Sequence, residues 1–179
     1  MTWPATKLTY EDFCLFPDDG RRHEIIDGEH YLQKSPNTQH QRISANIVYA
    51  IHGYAETRGL GEVFFARLDV VLSEFDVLEP DIFYVSDARK HIITEANIQG
   101  APDIVVEILS SSTRICDEIV KRKRYEVLGV PEYWIVDPEL EVVKIYRRAG
   151  AQYNFVFASD TITTPLIPGF SLPLRDVFD

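Results

Sequence analysis

The segment 100–110 places one acid inside an otherwise apolar run, and this feature constrains the fold more than any other. Glu107 has large or β-branched apolar residues on both sides: Val105, Val106, Ile108 and Leu109. Gly and Pro precede the run and a Ser cluster follows it, which is typical of a short covered strand, usually at the centre of a parallel sheet. An ionised carboxylate there must be paired, hydrogen-bonded or bound to a cation, because an isolated buried charge is too costly. The first hypothesis is therefore a metal site at Glu107.

Length and composition predict one soluble domain over residues 1–179. A chain of 179 residues, 45% of them hydrophobic, is large enough to bury a core without disulfides. No apolar run is long enough to span a membrane, and the amino terminus lacks a signal-peptide pattern, so we expect a cytoplasmic protein with no membrane partner. Cys14 and Cys116 lack zinc-type spacing and are expected to be free thiols of a reducing compartment.

The net charge of −10 argues against a protein that coats nucleic acid non-specifically. Such binding is driven by neutralisation of phosphates with release of counterions, which requires an excess of Lys and Arg. A local basic groove is still compatible with this overall charge.

The apolar periodicity and the turn signals predict one continuous α/β arrangement without internal repeats or long linkers. A hairpin is predicted over 24–32, because Asp27-Gly28 forms a two-residue turn between strand-like arms. The predicted helices cover 9–15, 37–58 and 113–128, and the other predicted strands cover 61–72, 81–85, 103–109, 132–137, 142–147 and 153–158. The last two strands form a terminal meander.

Asp81 is the acid best placed to share a metal ion with Glu107. It opens the preceding strand, and neighbouring strands lie about 4.8 Å apart. Asp103 lies in the same strand as Glu107, but at a distance of about 13 Å, which is too far for one ion. Two carboxylates with the backbone of Ile108 and waters make a hard-oxygen site suited to Mg²⁺ or Mn²⁺, and such sites commonly serve phosphate chemistry. The simpler alternative is that Asp81 only follows a turn-forming Pro.

The helix over 113–128 supplies a candidate cation. One of its faces carries Asp117, Lys121, Tyr125 and Leu128 at helical spacing. If Leu128 faces inward, Lys121 points toward the sheet, where an ammonium group can orient a water or stabilise the charge of a phosphoryl transition state. On spacing alone, an exposed ion pair with Asp117 is the simpler interpretation. The basic run 122–124 predicts a solvated face or, beside a metal site, a local phosphate contact.

These motifs closely resemble those of the Uma2 family, once labelled DUF820. The matching segments are Glu79-Pro80-Asp81, 102–110, Asp117-x-x-x-Lys121-x-x-x-Tyr125 and 129–138, together with an early Glu-x-x-x-Gly hairpin over 23–29 and Ser35-Pro36 followed by His40. The resemblance covers nearly the whole chain. The family is similar to restriction endonuclease-like proteins of the PD-(D/E)xK superfamily. The resemblance implies an α/β fold with a restriction endonuclease-like core, in which helices flank a mixed central sheet, and an added C-terminal β-meander.

The resemblance also implies roles for four residues. Asp81 takes the place of the Asp in the PD element, Glu107 that of the acid in (D/E)xK, and Glu24 that of an additional early acid. Leu109 stands where the superfamily usually has its Lys, and Lys121 resembles a migrated replacement. Such a migration keeps the chemistry, because a Lys side chain from an adjacent helix can reach over a strand end.

Together the residues and the resemblance predict a hydrolase, a Mg²⁺- or Mn²⁺-dependent endonuclease that cleaves the phosphodiester bonds of DNA. The alternatives are a non-catalytic binding or assembly module with the nuclease fold, and a nuclease acting on RNA or branched DNA. The acidic balance and Leu109 favour weak catalysis or none, whereas the intact set of four residues favours the nuclease. A twofold homodimer is expected, because a double-strand break needs two active sites, and the meander from residue 142 onward is the candidate interface.

Overall fold

A computed structural model describes residues 6–179, so the first five residues of the predicted domain lie outside the described part. The α-helices are α1 (Tyr10–Phe13), α2 (Thr38–Ala55), α3 (Arg122–Val127) and α4 (Leu174–Phe178), with 3₁₀ turns at Glu56–Arg58 and Asp87–Ile92 and a π-helical turn at Cys116–Lys121. The strands are β1 (Arg22–Ile26), β2 (Glu29–Gln33), β3 (Gly61–Phe65), β4 (Val70–Ser73), β5 (Asp76–Leu78), β6 (Ile82–Ser86), β7 (Ile98–Gln99), β8 (Ile104–Ile108), β9 (Glu132–Asp137), β10 (Val142–Ala149), β11 (Gln152–Phe157), β12 (Thr161–Thr163) and β13 (Ser171–Pro173).

Strand β8, which carries Glu107, lies inside a six-stranded sheet of order β11-β10-β9-β8-β6-β3. It runs parallel to β9 and antiparallel to β6, so the predicted parallel centre is only half correct. The sheet is mixed, as the resemblance implied, and β9, β10 and β11 form the predicted antiparallel meander at one edge. A second sheet has the order β2-β1-β5-β4-β7, and β12 pairs with β13.

The two faces of β8 are covered by different elements. Ile104, Val106 and Ile108 belong to a core cluster that also includes buried residues of α2 and α4. The alternate residues Val105 and Leu109 belong to a second cluster, which includes residues of α3 and of the second sheet. Successive side chains of a strand point to opposite faces, so Glu107 lies on the α3 side with Val105 and Leu109.

Two predicted elements are confirmed with their turn chemistry. In the hairpin β1–β2, Asp27 and Gly28 both have positive φ, 52° and 79°, as a two-residue type I′ turn requires. The long helix α2 begins after Asn37, whose side chain accepts a hydrogen bond from the backbone N–H of His40 at 2.8 Å. After the 3₁₀ turn that follows α2, Gly59 adopts the left-handed conformation that ends the helical segment.

The predicted strand over 61–72 is wrong, because the segment forms two strands in different sheets. Strand β3 pairs with β6 in the six-stranded sheet, whereas β4 pairs with β5 and β7 in the second sheet. The strands β5 and β7 were not predicted. They contain only three and two residues, too few for a periodic pattern to distinguish them from loops.

The predicted helix over 113–128 is one continuous helical segment, but its hydrogen-bonding pattern changes along its length. Its first half is the π-helical turn Cys116–Lys121, and α3 continues it to Val127. Asp117, Lys121 and Tyr125 are all buried, so the face carrying them does point inward. In residues 6–179 no helix combines the length and the hydropathy needed to cross a membrane.

Candidate active site

The candidate active site lies where strands β1, β6 and β8 meet the π-helical turn. Asp81 immediately precedes β6, whose Ile82 pairs with Val106 of β8, so Asp81 lies across from Glu107. Glu24 comes from β1 of the second sheet, and Lys121 comes from the π-helical turn. The structure thus brings the four residues identified from the sequence into one region.

Lys121 lies at the centre of this region. Its Nζ donates hydrogen bonds to Oε1 of Glu24 and Oε1 of Glu107, each at 2.9 Å, and lies 3.7 Å from Oδ1 of Asp117. Only 1% of the Lys121 side chain is exposed, so the interpretation as an exposed ion pair is wrong. The spacing in the sequence identifies the residues that share this helix face. It does not show that the face is buried, because burial results from the packing of the helix against both sheets.

The surrounding carboxylates keep Lys121 charged. Burial alone would lower its pKa, but the negative charges of Glu107 and Glu24 outweigh burial and hold the pKa well above its usual value. Burial raises the pKa of Asp117 to about 6, although the charge of Lys121 opposes this rise. Lys121 is therefore a cation at neutral pH, which suits it to hold acceptors and stabilise negative charge rather than to act as a base.

Glu107 uses one carboxylate oxygen for the protein and leaves the other free of hydrogen bonds. Its Oε1 accepts from Nζ of Lys121 and, at 3.1 Å, from the hydroxyl of Tyr125. Within residues 6–179, no donor forms a hydrogen bond with Oε2. Glu107 lines a cavity of about 180 Å³ together with Asp81, Ile108 and Lys121.

Asp81 is held as an anion by three donors. Its Oδ2 accepts from the backbone N–H of Ile108 and from Nε2 of His40, both at 2.9 Å, and its Oδ1 accepts from Nη1 of Arg22 at 3.0 Å. Burial would raise the pKa of Asp81, but His40, Arg22 and the Ile108 N–H together lower it to about 2. The carboxylate is therefore available as a charged ligand at neutral pH.

Glu24 contacts Lys121 on the side away from the cavity. Its Oε1 accepts from Lys121 and from the backbone N–H of Glu79 at 3.0 Å, and its Oε2 accepts from Nε2 of Gln33 at 2.7 Å. The side chain is fully buried and does not line the 180 Å³ cavity. This position fits a residue that orients Lys121, whereas its predicted catalytic role stays a prediction.

Arg22 and Gln33 were missed from the sequence, and His40 was named only among the motifs that resemble the Uma2 family. Arg22 also donates to the backbone carbonyl of Glu79, and the charges of Asp81, Glu107 and Glu24 raise its pKa against the effect of burial. One signal for Arg22 was present, because residues two apart on a strand share a face and Arg22 precedes Glu24 by two. Gln33 gave no such signal.

The donor set fits a hard divalent cation. Each carboxylate oxygen can accept twice, so Oδ1 of Asp81 and Oε2 of Glu107 keep free lone pairs. The N–H and C=O of one strand residue point to the same side, so the carbonyl of Ile108 is directed toward the Asp81 side, as its N–H is. Oxygen donors of this kind suit Mg²⁺ or Mn²⁺. In the described residues no group of three or more His, Cys, Asp or Glu side chains could hold a metal ion, so water must complete any such site.

Two neighbouring charged segments do not reach this cavity. Arg124 pairs with Asp76 and lies 3.2 Å from Asp27, and none of residues 122–124 lines the cavities at the site. Of these three residues only Lys123 is exposed, so the solvated-face interpretation holds for Lys123 and not for the half-buried Arg122 and Arg124. Asp103 accepts a hydrogen bond from the backbone N–H of Ser86 at 2.7 Å. It therefore orients neighbouring backbone.

Comparison with known proteins shows which family and which solved structure this chain is similar to. The model of the Uma2 family, described as "Putative restriction endonuclease", matches residues 9–175. A crystal structure from Anabaena variabilis ATCC 29413, described as "a putative nuclease belonging to DUF820", superposes with a TM-score of 0.75 at 23% sequence identity, over 96% of this chain and 97% of that chain. This likeness confirms the fold class implied by the resemblance. No curated protein matches the sequence.

Proposed function

Because this chain belongs to the Uma2 family, we propose that it is an endonuclease that uses Mg²⁺ or Mn²⁺ to hydrolyse the phosphodiester bonds of DNA. One observation carries the proposal: two carboxylates, Asp81 and Glu107, line the same small cavity as the buried cation Lys121. Charged groups are seldom buried unless they are paired, and perturbed ionisable groups concentrate at functional sites.

Asp81, Glu107 and the backbone carbonyl of Ile108 would hold the metal ion. When bound, the ion would supply charge neutralisation for the scissile phosphate and a lower pKa for an attacking water. Asp81 is suited to this role because its carboxyl is ionised far below neutral pH. Glu107 presents the oxygen that no protein donor of the described part occupies.

Lys121 would orient the attacking water and stabilise the negative charge that develops on the phosphate. Its ammonium group has three N–H donors, of which two are used by Glu24 and Glu107. The third donor faces Asp117 only at 3.7 Å, which is beyond normal hydrogen-bond length and leaves it free for a water. Glu24 acts through Lys121 as a positioning residue.

The test is nicking of supercoiled plasmid DNA with Mg²⁺ or Mn²⁺ by four purified proteins: wild type, Asp81→Ala, Glu107→Ala and Lys121→Ala. We expect activity only in the wild type. Loss in the two acid variants with retention in Lys121→Ala would remove Lys121 from the mechanism. Equal activity in all four preparations would indicate a contaminating nuclease. No activity in any preparation, together with no binding of divalent metal, would overturn the proposal in favour of a non-catalytic module.

A further inference from the structure

A groove beside the candidate active site exposes two aromatic rings to solvent. Tyr49 of α2 is 81% exposed and Phe65 at the end of β3 is 59% exposed. Both line a groove of about 450 Å³ between α2 and β3, together with Ser44, Ala45 and Val48. We call this the aromatic groove. None of its lining residues is acidic, although the chain carries a net charge of −10.

The aromatic groove is continuous with the candidate active site. Phe65 pairs with Ile82, the residue after Asp81, and the next backbone N–H, that of Ala66, donates to the carbonyl of Asp81 at 3.0 Å. Phe65 and Asp81 also line one cavity of about 330 Å³. Gln41 and Ser44 belong to the walls of both this cavity and the aromatic groove. A bound chain could therefore pass from Tyr49, over Phe65, to Asp81.

Positive charge is concentrated where the two spaces join. The 330 Å³ cavity is lined by Arg21, Arg22, Lys34 and Arg67, and Asp81 is the one acid among its lining residues. Arg67 donates to the backbone carbonyls of Gly20 and Arg21, and its Nε lies 3.7 Å from Oε2 of Glu79, while Arg21 lies 3.6 Å from Asp19. Both side chains are nevertheless largely exposed, 49% for Arg67 and 64% for Arg21, and the exposed Lys34 forms no salt bridge within residues 6–179. This is a local basic surface of the kind that an acidic protein needs in order to bind phosphates.

We propose that the aromatic groove binds single-stranded DNA, with unpaired bases stacked on Tyr49 and Phe65 and the phosphates directed along Lys34, Arg21 and Arg67. The proposal rests on the nuclease function proposed above and names its substrate class. Exposed aromatic rings beside a basic surface recur in proteins that bind single-stranded nucleic acids, because every base has a face that can stack on an aromatic ring. In an intact duplex those faces are occupied by the neighbouring base pairs. The substrate is therefore DNA that is single-stranded next to the scissile phosphate.

The test measures binding without hydrolysis. Fluorescence anisotropy in EDTA compares a labelled oligothymidylate of about 12 nucleotides with a blunt duplex of the same length. We expect the wild type to bind the oligothymidylate at least about tenfold more tightly, and Tyr49→Ala and Phe65→Ala each to weaken its binding about tenfold without changing duplex binding. Lys34→Ala should weaken binding to both DNAs, and the salt dependence should fall with it.

Two control variants make the test specific. Leu140→Ala removes an exposed apolar side chain outside the groove, and Lys123→Ala removes an exposed Lys from α3. Both should bind as the wild type does. The proposal is overturned if the duplex binds as tightly as the oligothymidylate, or if Tyr49→Ala and Phe65→Ala bind normally. It is also overturned if Phe65→Ala converts a dimer into a monomer with unchanged DNA binding, since the groove would then be an interface.

This result is separate from that of the plasmid assay. Tight single-strand binding without cleavage would leave the substrate class standing and reject the catalytic proposal. Cleavage of plasmid without a preference for single-stranded DNA would support the catalytic proposal and reject the proposed substrate class.

Discussion

Lys121 shows how much of the site depends on one buried charge. Its ammonium group neutralises part of a cluster in which Glu24, Glu107 and Asp117 are all buried. Removing one member of a buried ion pair leaves its partners uncompensated, and this is more costly than the pair itself is favourable. The residue therefore supports the fold and the proposed chemistry at once.

We expect Lys121→Met to lower the free energy of unfolding by about 3 kcal/mol, because Met retains much of the apolar stem but leaves two carboxylates without their cation. Urea unfolding followed by circular dichroism measures the change. Lys123→Met is the matched control, since Lys123 is exposed, and it should change stability by less than about 0.5 kcal/mol.

A second variant isolates the charge effect from the loss of packing. Glu107→Gln in the Lys121→Met background removes one of the uncompensated carboxylates, so the double variant should recover part of the lost stability. If the two substitutions are simply additive in the unfolding free energy, the ion pair is not what stabilises this cluster.

Among the elements, β9 makes a pH-dependent contribution to the stability of the fold, at a position outside the candidate active site. Its last residue, Asp137, is buried, and its carboxylate accepts from Arg114 at 2.7 and 3.2 Å and from the backbone N–H groups of Glu139 and Leu140. The hydrogen bond from Arg114 is the main reason that the pKa of Asp137 lies below its usual value. A depressed pKa means that the folded state prefers the ionised form, so this stabilisation is present above about pH 4 and is lost as the pH falls through the folded pKa.

Asp137→Asn should therefore destabilise the protein by about 2 kcal/mol at pH 7, and the difference from the wild type should shrink as the pH falls below about 4. Thermal and urea unfolding across this pH range measure both effects. Glu139→Gln serves as the control, because Glu139 pairs with the same Arg114 at 3.0 Å but is largely exposed. A constant difference at every pH would mean that hydrogen-bond geometry, rather than charge, accounts for the role of Asp137.

The elements also show why some of the site was predictable from the sequence. Glu107 and Asp81 were found because a covered strand with one acid, and an acid at the start of its neighbour, are local patterns. The strand pattern placed Arg22 on the same face as Glu24, but the contact between Arg22 and Asp81 spans 59 positions of sequence, and no local pattern reports such a distant pairing. For the same reason the division of 61–72 between two sheets was missed, since the pattern within a strand does not identify its partner.

At the scale of the whole molecule, the six-stranded sheet has two different edges. One edge is β3, which borders the aromatic groove. The other is β11, which pairs only with β10 within residues 6–179 and exposes Phe155, Val156 and Phe157. Strand β11 contains no charged residue and no Pro, although exposed edge strands usually carry such residues to prevent pairing with another chain. The expected partner is therefore a second copy of β11, related by a twofold axis.

This arrangement predicts a dimer that leaves both aromatic grooves open, because each groove lies at the opposite edge from the joined strands. Sedimentation velocity should show a dimer for the wild type and a monomer for Val156→Lys and Phe157→Lys, since an inserted Lys opposes edge pairing. Leu140→Lys adds the same charge at an exposed apolar position of the β9–β10 turn and should remain dimeric. A monomeric wild type at micromolar concentration, or dimeric β11 variants, would exclude this interface. The monomeric variants should keep the single-strand binding of the wild type, because dimerisation and the aromatic groove use different edges of one sheet.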